Sequence, residues 1–377
     1  MHDALLKRLQ DDLRQREVAG LQRQLSLSQL IDFTSNDYLG LARSRDLSDM
    51  IASRSSLLHD NLNGATGSRL LSGNSELAEE VEQQLADIFK SETALLFNSG
   101  YAANLGVLSS LPQRNDTILY DERAHTSIKD GARLSVARRF SFRHNDLDDL
   151  ENKLRRATGH CFVAVESIYS MDGDRCPLVD LVALVDRHNA TIVLDEAHST
   201  GIAGLRGEGM AVSLGVAERV GVRIYTFGKA MGCHGACVAG PALLREYFIN
   251  NSRPFIYTTA LPPHALLAIS CAFSFLESRP GLAPQLAGNI AQFSQAMAAN
   301  PAYKRSDTAI QCVQIPGNSH VNAAASHLRG KGFDVRPIRT PTVPTGYERI
   351  RICLHAFNEE EDIRTLADEI NKLNIES

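Results

Sequence analysis

Apolar and polar positions along the 377-residue chain fall into repeating blocks. Five short runs, "TALLFN" (93–98), "TILYD" (117–121), "CFVAVES" (161–167), "TIVLDEA" (191–197) and "RIYTF" (223–227), are apolar with little alternation. That is the pattern of strands covered on both faces. Three of the intervals carry helical spacing: "YAANLGVLSSL", "HTSIKDGARLS" and "PLVDLVALVDRHN". Strand and helix in regular alternation predict an α/β fold with a mostly parallel, doubly wound central sheet.

The flanks read differently. The N-terminal "MHDALLKRLQDDLRQREVAGLQRQL" is charged and helical in pattern. Ser75 is placed to cap "ELAEEVEQQLADIF", whose Leu77, Val81, Leu85 and Ile88 share one face. Beyond "PPHALLAISCAFSFLES" comes an amphipathic helix, "LAPQLAGNIAQFSQAMAA". It is followed by strand-like "AIQCVQI" and "ERIRICLHA" around helical "SHVNAAASHLRGKG", and by a closing helix, "NEEEDIRTLADEINKLN". The expected organisation is an N-terminal helix and arm (1–41), a large sheet domain (42–275) and a smaller C-terminal α+β domain (276–377).

Composition adds exclusions. Hydrophobic residues make up 44% and charged residues 22% of the chain, with a net charge of −5. Such a balance gives no support to nucleic-acid binding or to an anionic membrane surface. No apolar stretch approaches the roughly 20 residues that span a bilayer, and the N-terminus has no signal-peptide run. The seven cysteines are scattered and several sit in apolar runs, as for reduced thiols. A cytoplasmic protein is the expectation. Cys233, His234 and Cys237 lack a second group of ligands, so no metal is expected.

Candidate chemistry starts at "YTFGKAMGCHGAC", where Lys229 stands apart from other charges. A lysine that must react as an amine needs such isolation. Asp195 ends a wholly apolar strand, where a carboxylate is costly unless donors or a cation meet it. His198 follows three residues later, and His125 and Ser170 lie in other loops after strands. Ser99, Gly100 and Tyr101 open a helix, whose free N–H groups suit a phosphate. Phosphate cradle, buried aspartate, histidines and lone lysine together describe a pyridoxal phosphate site. The lysine forms the Schiff base, and the aspartate keeps the ring nitrogen protonated. "IVLDEAH" also reads as a helicase Walker B motif. The accompanying G-x-x-x-x-G-K-[ST] is missing, because Arg223 and Ala325 stand where its first glycine belongs.

Nine motifs in order extend the picture: "DFTSNDYLGLA", "GATGSRLLSGNS", "ALLFNSGYAAN", "ERAHTSI", "SIYSMDGDRCPL", "VLDEAHSTG", "TFGKAMGCHGA", "FIYTTALPP" and "PTVPTGYERIRICL". From about residue 10 to the C-terminus the chain resembles the α-oxoamine synthases. These are pyridoxal-phosphate enzymes of fold type I, the aspartate aminotransferase-like fold. "GCHGA" and "PTVPTG" are most similar to the biotin-biosynthesis branch.

The resemblance implies condensation of L-alanine with a pimeloyl thioester, on CoA or a carrier protein. A relative using glycine or serine with another acyl-CoA is the alternative. It implies that Lys229 is the Schiff-base residue, that Asp195 pairs with the ring nitrogen, and that His198 and Ser170 lie near the ring hydroxyl. It also implies that His125 stacks on the ring and that the Gly100 and Tyr101 amides and Thr226 hold the phosphate. Thr258 or Thr259 would reach in from the second subunit of a homodimer with shared sites. Arg351 would bind the amino-acid carboxylate and Asn36 would line the substrate site. Arg349, on the same face of its strand, is expected to be a solvated arginine. The N-terminal arginine found near the acyl site in the family aligns with Gln22 or Arg23. Ala78 replaces a histidine common in the family, a position expected to be structural.

Overall fold

The computed structural model describes residues 2–23, 25–58 and 63–373. It divides into two compact units. One runs from Asn36 to Leu286, and the other joins the segment up to Ser35 with Ala287 onward. The division falls within the helix Leu282–Ala296, whereas residue 276 lies inside the continuous helix Pro263–Ser278.

The larger unit is built on a seven-stranded sheet: β1 (Thr93–Phe97), β2 (Thr117–Asp121), β3 (Arg138–Phe142), β4 (Cys161–Glu166), β5 (Thr191–Asp195), β6 (Val222–Thr226) and β7 (Ala236–Gly240). Its order is β1-β7-β6-β5-β4-β2-β3. All strands run the same way except β7, which is antiparallel to β1 and β6. Successive side chains feed opposite faces. Val163, Val165, Ile192 and Leu194 join one apolar cluster, while Phe162, Ala164, Val193 and Ile224 join the other. With both faces covered, every position in the inner strands favours an apolar residue. The central sheet matches the mostly parallel one expected from the sequence.

Two strands of this sheet were not foreseen. β3 (sequence RRFSF) is a charged edge strand, and its arginines discourage pairing with another chain. β7 (sequence ACVAG) is made of small residues and is fully buried between β1 and β6.

Helix ends follow local chemistry. Ser75 Oγ accepts the Ala78 N–H at 3.2 Å at the start of Glu76–Ile88. Ser99 Oγ does the same for Ala102 at the start of Gly100–Ser110. His125 caps Thr126–Leu134, its Nδ1 accepting the Ser127 N–H at 3.2 Å.

The smaller unit holds the N-terminal helix His2–Val18 and a four-stranded antiparallel sheet. The order of that sheet is Arg336–Ile338, Arg349–Cys353, Ile310–Gln314 and Tyr303–Lys304. The helices Asn318–Gly330 and Glu360–Asn371 also belong to it, as does the parallel pair of Ile31–Asp32 with Phe333–Asp334.

Candidate active site

Strand ends place the groups. β5 ends on Asp195, β4 on Glu166 beside it in register, and β6 on Thr226. In a doubly wound sheet the crevice beyond the carboxyl ends of the strands is where ligands bind.

Lys229 lies in the loop joining β6 to β7. Phe227 N–H donates to the Gly235 carbonyl, Cys233 N–H to the Phe227 carbonyl, and Gly232 N–H to the Lys229 carbonyl. Gly232 (φ +62°) is required by close packing: a Cβ there would lie 2.3 Å from the Ala42 nitrogen. Gly235 (φ +117°) is packed as well, a Cβ there standing 3.1 Å from Leu261.

Lys229 Nζ is 2.8 Å from His198 Nε2. His198 Nδ1 is 2.8 Å from the Tyr38 hydroxyl, which donates to Asn36 Oδ1 at 3.0 Å. Lysine, histidine, tyrosine and asparagine thus form one hydrogen-bonded chain, with Tyr38 and His198 buried.

Asp195 is also buried, and both of its oxygens are occupied. Oδ2 accepts from Asn104 Nδ2 at 2.7 Å and Oδ1 from the Ala197 N–H at 2.8 Å. Asn104 also donates to Ser127 Oγ, which lies 2.7 Å from His125 Nδ1. The His125 N–H in turn donates to Glu166 Oε1 at 2.5 Å. Burial is the main cause pulling the His125 pKa below its ordinary value. Asp195 opposes that shift and Lys229 adds to it. Burial and the neighbouring Asp195 charge push Glu166 up to about 8. Of two carboxylates side by side in low dielectric, one keeps its proton near neutrality.

A phosphate-sized demand shows at the start of the helix Gly100–Ser110. The first N–H groups of a helix lack intrahelical partners, and a Cβ at position 100 would stand 2.3 Å from Thr226 Oγ1. Thr226 Oγ1 is buried with no hydrogen-bond partner, and so is Asn104 Oδ1. The orphaned Thr226 hydroxyl, which can donate, lies beside a glycine and a helix N-terminus and fits a bound anion. These residues therefore fit pyridoxal phosphate. The Tyr101 side chain points away from this demand, its exposed hydroxyl donating to Asp130 at 2.6 Å.

The larger unit thus brings Lys229, His198, Asp195, His125, Gly100 and Thr226 around one crevice, and Ser170 is buried on the loop after β4. Asn98 Nδ2 donates to Thr258 Oγ1 at 3.0 Å and to the Thr259 carbonyl at 2.9 Å within the same chain. Arg351 and Arg23 belong to the smaller unit. Arg351 is half-buried between Cys312 and Arg336 on the neighbouring strands, and Arg23 is exposed. Arg349 is buried, with Nε donating to the Tyr347 carbonyl, and is not the solvated arginine the sequence suggested.

Sequence reasoning missed Tyr38, Asn104, Ser127 and Glu166. Asn104 left a faint signal, a polar side chain one turn into an apolar helix. Tyr38 and Glu166 act through bonds to residues distant in sequence, and Ser127 links nearby His125 to Asn104 on another helix.

The aminotransferase class I and II family model matches residues 28–370. An 8-amino-7-oxononanoate synthase of Emericella nidulans is 40% identical over 394 residues, covering 96% of this chain and 94% of that one. Among solved structures, a serine palmitoyltransferase variant from S. paucimobilis with a bound PLP–myriocin aldimine is similar over 97% of this chain and 96% of that one, at TM-score 0.88 and 25% identity. An 8-amino-7-oxononanoate synthase from Francisella tularensis is similar over 91% of this chain and 97% of that one, at TM-score 0.79 and 27% identity.

Proposed function

The chain belongs to the aminotransferase class I and II family, and on that premise we propose that it condenses L-alanine with a pimeloyl thioester. The products are 8-amino-7-oxononanoate, CO2 and the free thiol carrier, a step of biotin biosynthesis. It is a pyridoxal-phosphate-dependent acyltransferase of fold type I. The observation that carries the reading is the 2.8 Å approach of Lys229 Nζ to His198 in the crevice where buried Asp195 ends its strand.

Bound there, pyridoxal phosphate supplies an electron sink for the α-carbon of an amino acid. The residues of the chain divide the remaining work. Lys229 would hold the cofactor through Nζ, and its free amine would take the proton from the alanine Cα. His198, within hydrogen-bond reach of Nζ, orients that amine. Asp195 stays an acceptor for the ring nitrogen's proton, its carboxylate fixed by Asn104 and Ala197. His125 would pack on the ring of the bound cofactor, and Ser170 and His198 would hold its hydroxyl. Ser99 caps the helix Gly100–Ser110, and the Gly100 and Tyr101 N–H groups and the unpartnered Thr226 hydroxyl would hold the phosphate. Thr258 or Thr259 adds to it from the second subunit of a homodimer. Arg351 grips the alanine carboxylate through its two-pronged guanidinium. Asn36 and Arg23 face the substrates.

Borohydride reduction of the holoenzyme followed by peptide mapping is expected to label Lys229. Labelling of Lys304 or Lys331 would remove the site. Thiol release is expected to be fastest with L-alanine and a pimeloyl thioester, with CoA and carrier-protein donors compared directly. A preference for glycine or serine with another acyl-CoA would assign the chain to a neighbouring α-oxoamine synthase.

A further inference from the structure

Outside the Lys229 crevice, a cluster of titratable groups surrounds His144, in the turn after β3. Its Nδ1 lies 2.9 Å from Asp121 Oδ1 and its Nε2 lies 2.5 Å from Asp174 Oδ2. A neutral imidazole carries one N–H and one lone pair, so it would turn a lone pair on one of these carboxylates. Only the imidazolium donates at both nitrogens. The Tyr169 ring packs edge-on against it, centroids 4.5 Å apart.

The two carboxylates belong to different parts of the site. Asp121 ends β2 and organises the turn leading into His125, its oxygens accepting from the Arg123 and Asn145 N–H groups at 2.8 and 2.9 Å. Asp174 lies in the loop after β4, and its carbonyl accepts from the Tyr169 N–H. Ser170 sits between Tyr169 and Asp174. A second bond ties the same pieces together, Arg123 Nη1 to Asp172 Oδ2 at 2.5 Å, but that arginine is partly exposed.

We infer that His144 is a positioning residue: doubly protonated between Asp121 and Asp174, it locks the Ser170-bearing loop to the turn that leads into His125, and so sets how tightly the site holds pyridoxal phosphate. The inference rests on the assignment of Ser170 and His125 to the cofactor.

Burial alone would lower the His144 pKa. Hydrogen bonds and charge from Asp121 and Asp174 outweigh it and hold the imidazolium to about 9. Its surroundings do not oppose this. The backbone N–H of His144 donates to Glu122, and Glu166 shares the field of Asp121. Tyr169 and Cys176 are held neutral by burial and by these same carboxylates. The clamp is therefore closed at neutral pH and opens as pH rises through about 9.

The test is equilibrium dialysis of the holoenzyme across this pH range, reading bound cofactor rather than turnover. Wild-type affinity is expected to hold steady at neutral pH and fall as pH passes about 9. H144Q is expected to bind roughly ten-fold more weakly or worse at pH near 7.5, with that alkaline step gone. D174N keeps an acceptor oxygen but removes a charge, so the step should move down by about one pH unit. A purely structural contact would not move the step, and D174N carries the test if H144Q fails to fold. Wild-type affinity and an unmoved step in either variant overturn the clamp. If the wild type itself does not retain pyridoxal phosphate, the functional reading fails first and the clamp with it.

Discussion

Asp195 closes a strand with no other polar side chain beyond its first residue, and its oxygens are taken by Asn104 and by the Ala197 N–H. An amide at this position could not hold a proton on the ring nitrogen. D195N is expected to retain cofactor, judged by its visible absorption, while turnover falls by about 10²-fold or more. Turnover within a few-fold of wild type would refute the role. The two arginines of Arg349–Cys353 separate in the same way. R351K keeps charge but loses the fork, so alanine KM should rise and kcat fall together, with the thioester KM changed much less. R349K should leave these constants alone and lower stability by about 1 kcal/mol, because a buried donor to the Tyr347 carbonyl is lost. Equal kinetic effects of the two variants would dislodge Arg351. Asp195 was legible as a candidate because a charged group at the end of an apolar strand stands out, His198 because it follows three residues on, and Lys229 because it stands apart from other charges. Tyr38 was not, since its partner His198 is 160 residues away.

Elements were read well where their pattern is local. Helix Glu76–Ile88 begins where its capping serine predicted, and the five apolar strands fall close to the expected positions. β3 and β7 escaped because neither has the strand signature. One is a charged edge and the other is built of small residues that only their neighbours make into a strand. The helix Gly100–Ser110 carries an element-scale prediction. Its N-terminus opens beside Thr226, and a methyl group at position 100 would collide with the Thr226 hydroxyl. G100A should weaken cofactor retention in dialysis by roughly ten-fold, with the melting temperature of the cofactor-free protein little changed. Undiminished retention would move the phosphate elsewhere.

At the scale of the whole molecule, the proposed homodimer with shared sites makes a prediction that no single chain can satisfy. Mixing inactive K229A with a variant lacking the Thr258 and Thr259 hydroxyls should restore part of the activity through hybrid dimers. A fully active monomer on sizing would rule this out. No described helix is long and apolar enough to cross a membrane. By itself the sequence determined the alternation that yields a mostly parallel sheet, the capped helices, and the lysine and carboxylate that announce a pyridoxal phosphate enzyme. Each of these depends on residues near one another in the chain, or on the match of ordered motifs. Only the tertiary structure decided where β7 inserts, that the N-terminal segment up to Ser35 groups with Ala287 onward, and which groups complete the site. Tyr38 on His198, Asn104 on Asp195 and His144 between Asp121 and Asp174 all join segments separated in sequence. The reason is physical: hydrophobic periodicity is written locally, whereas a buried polar group is satisfied by whatever partner folding brings to it.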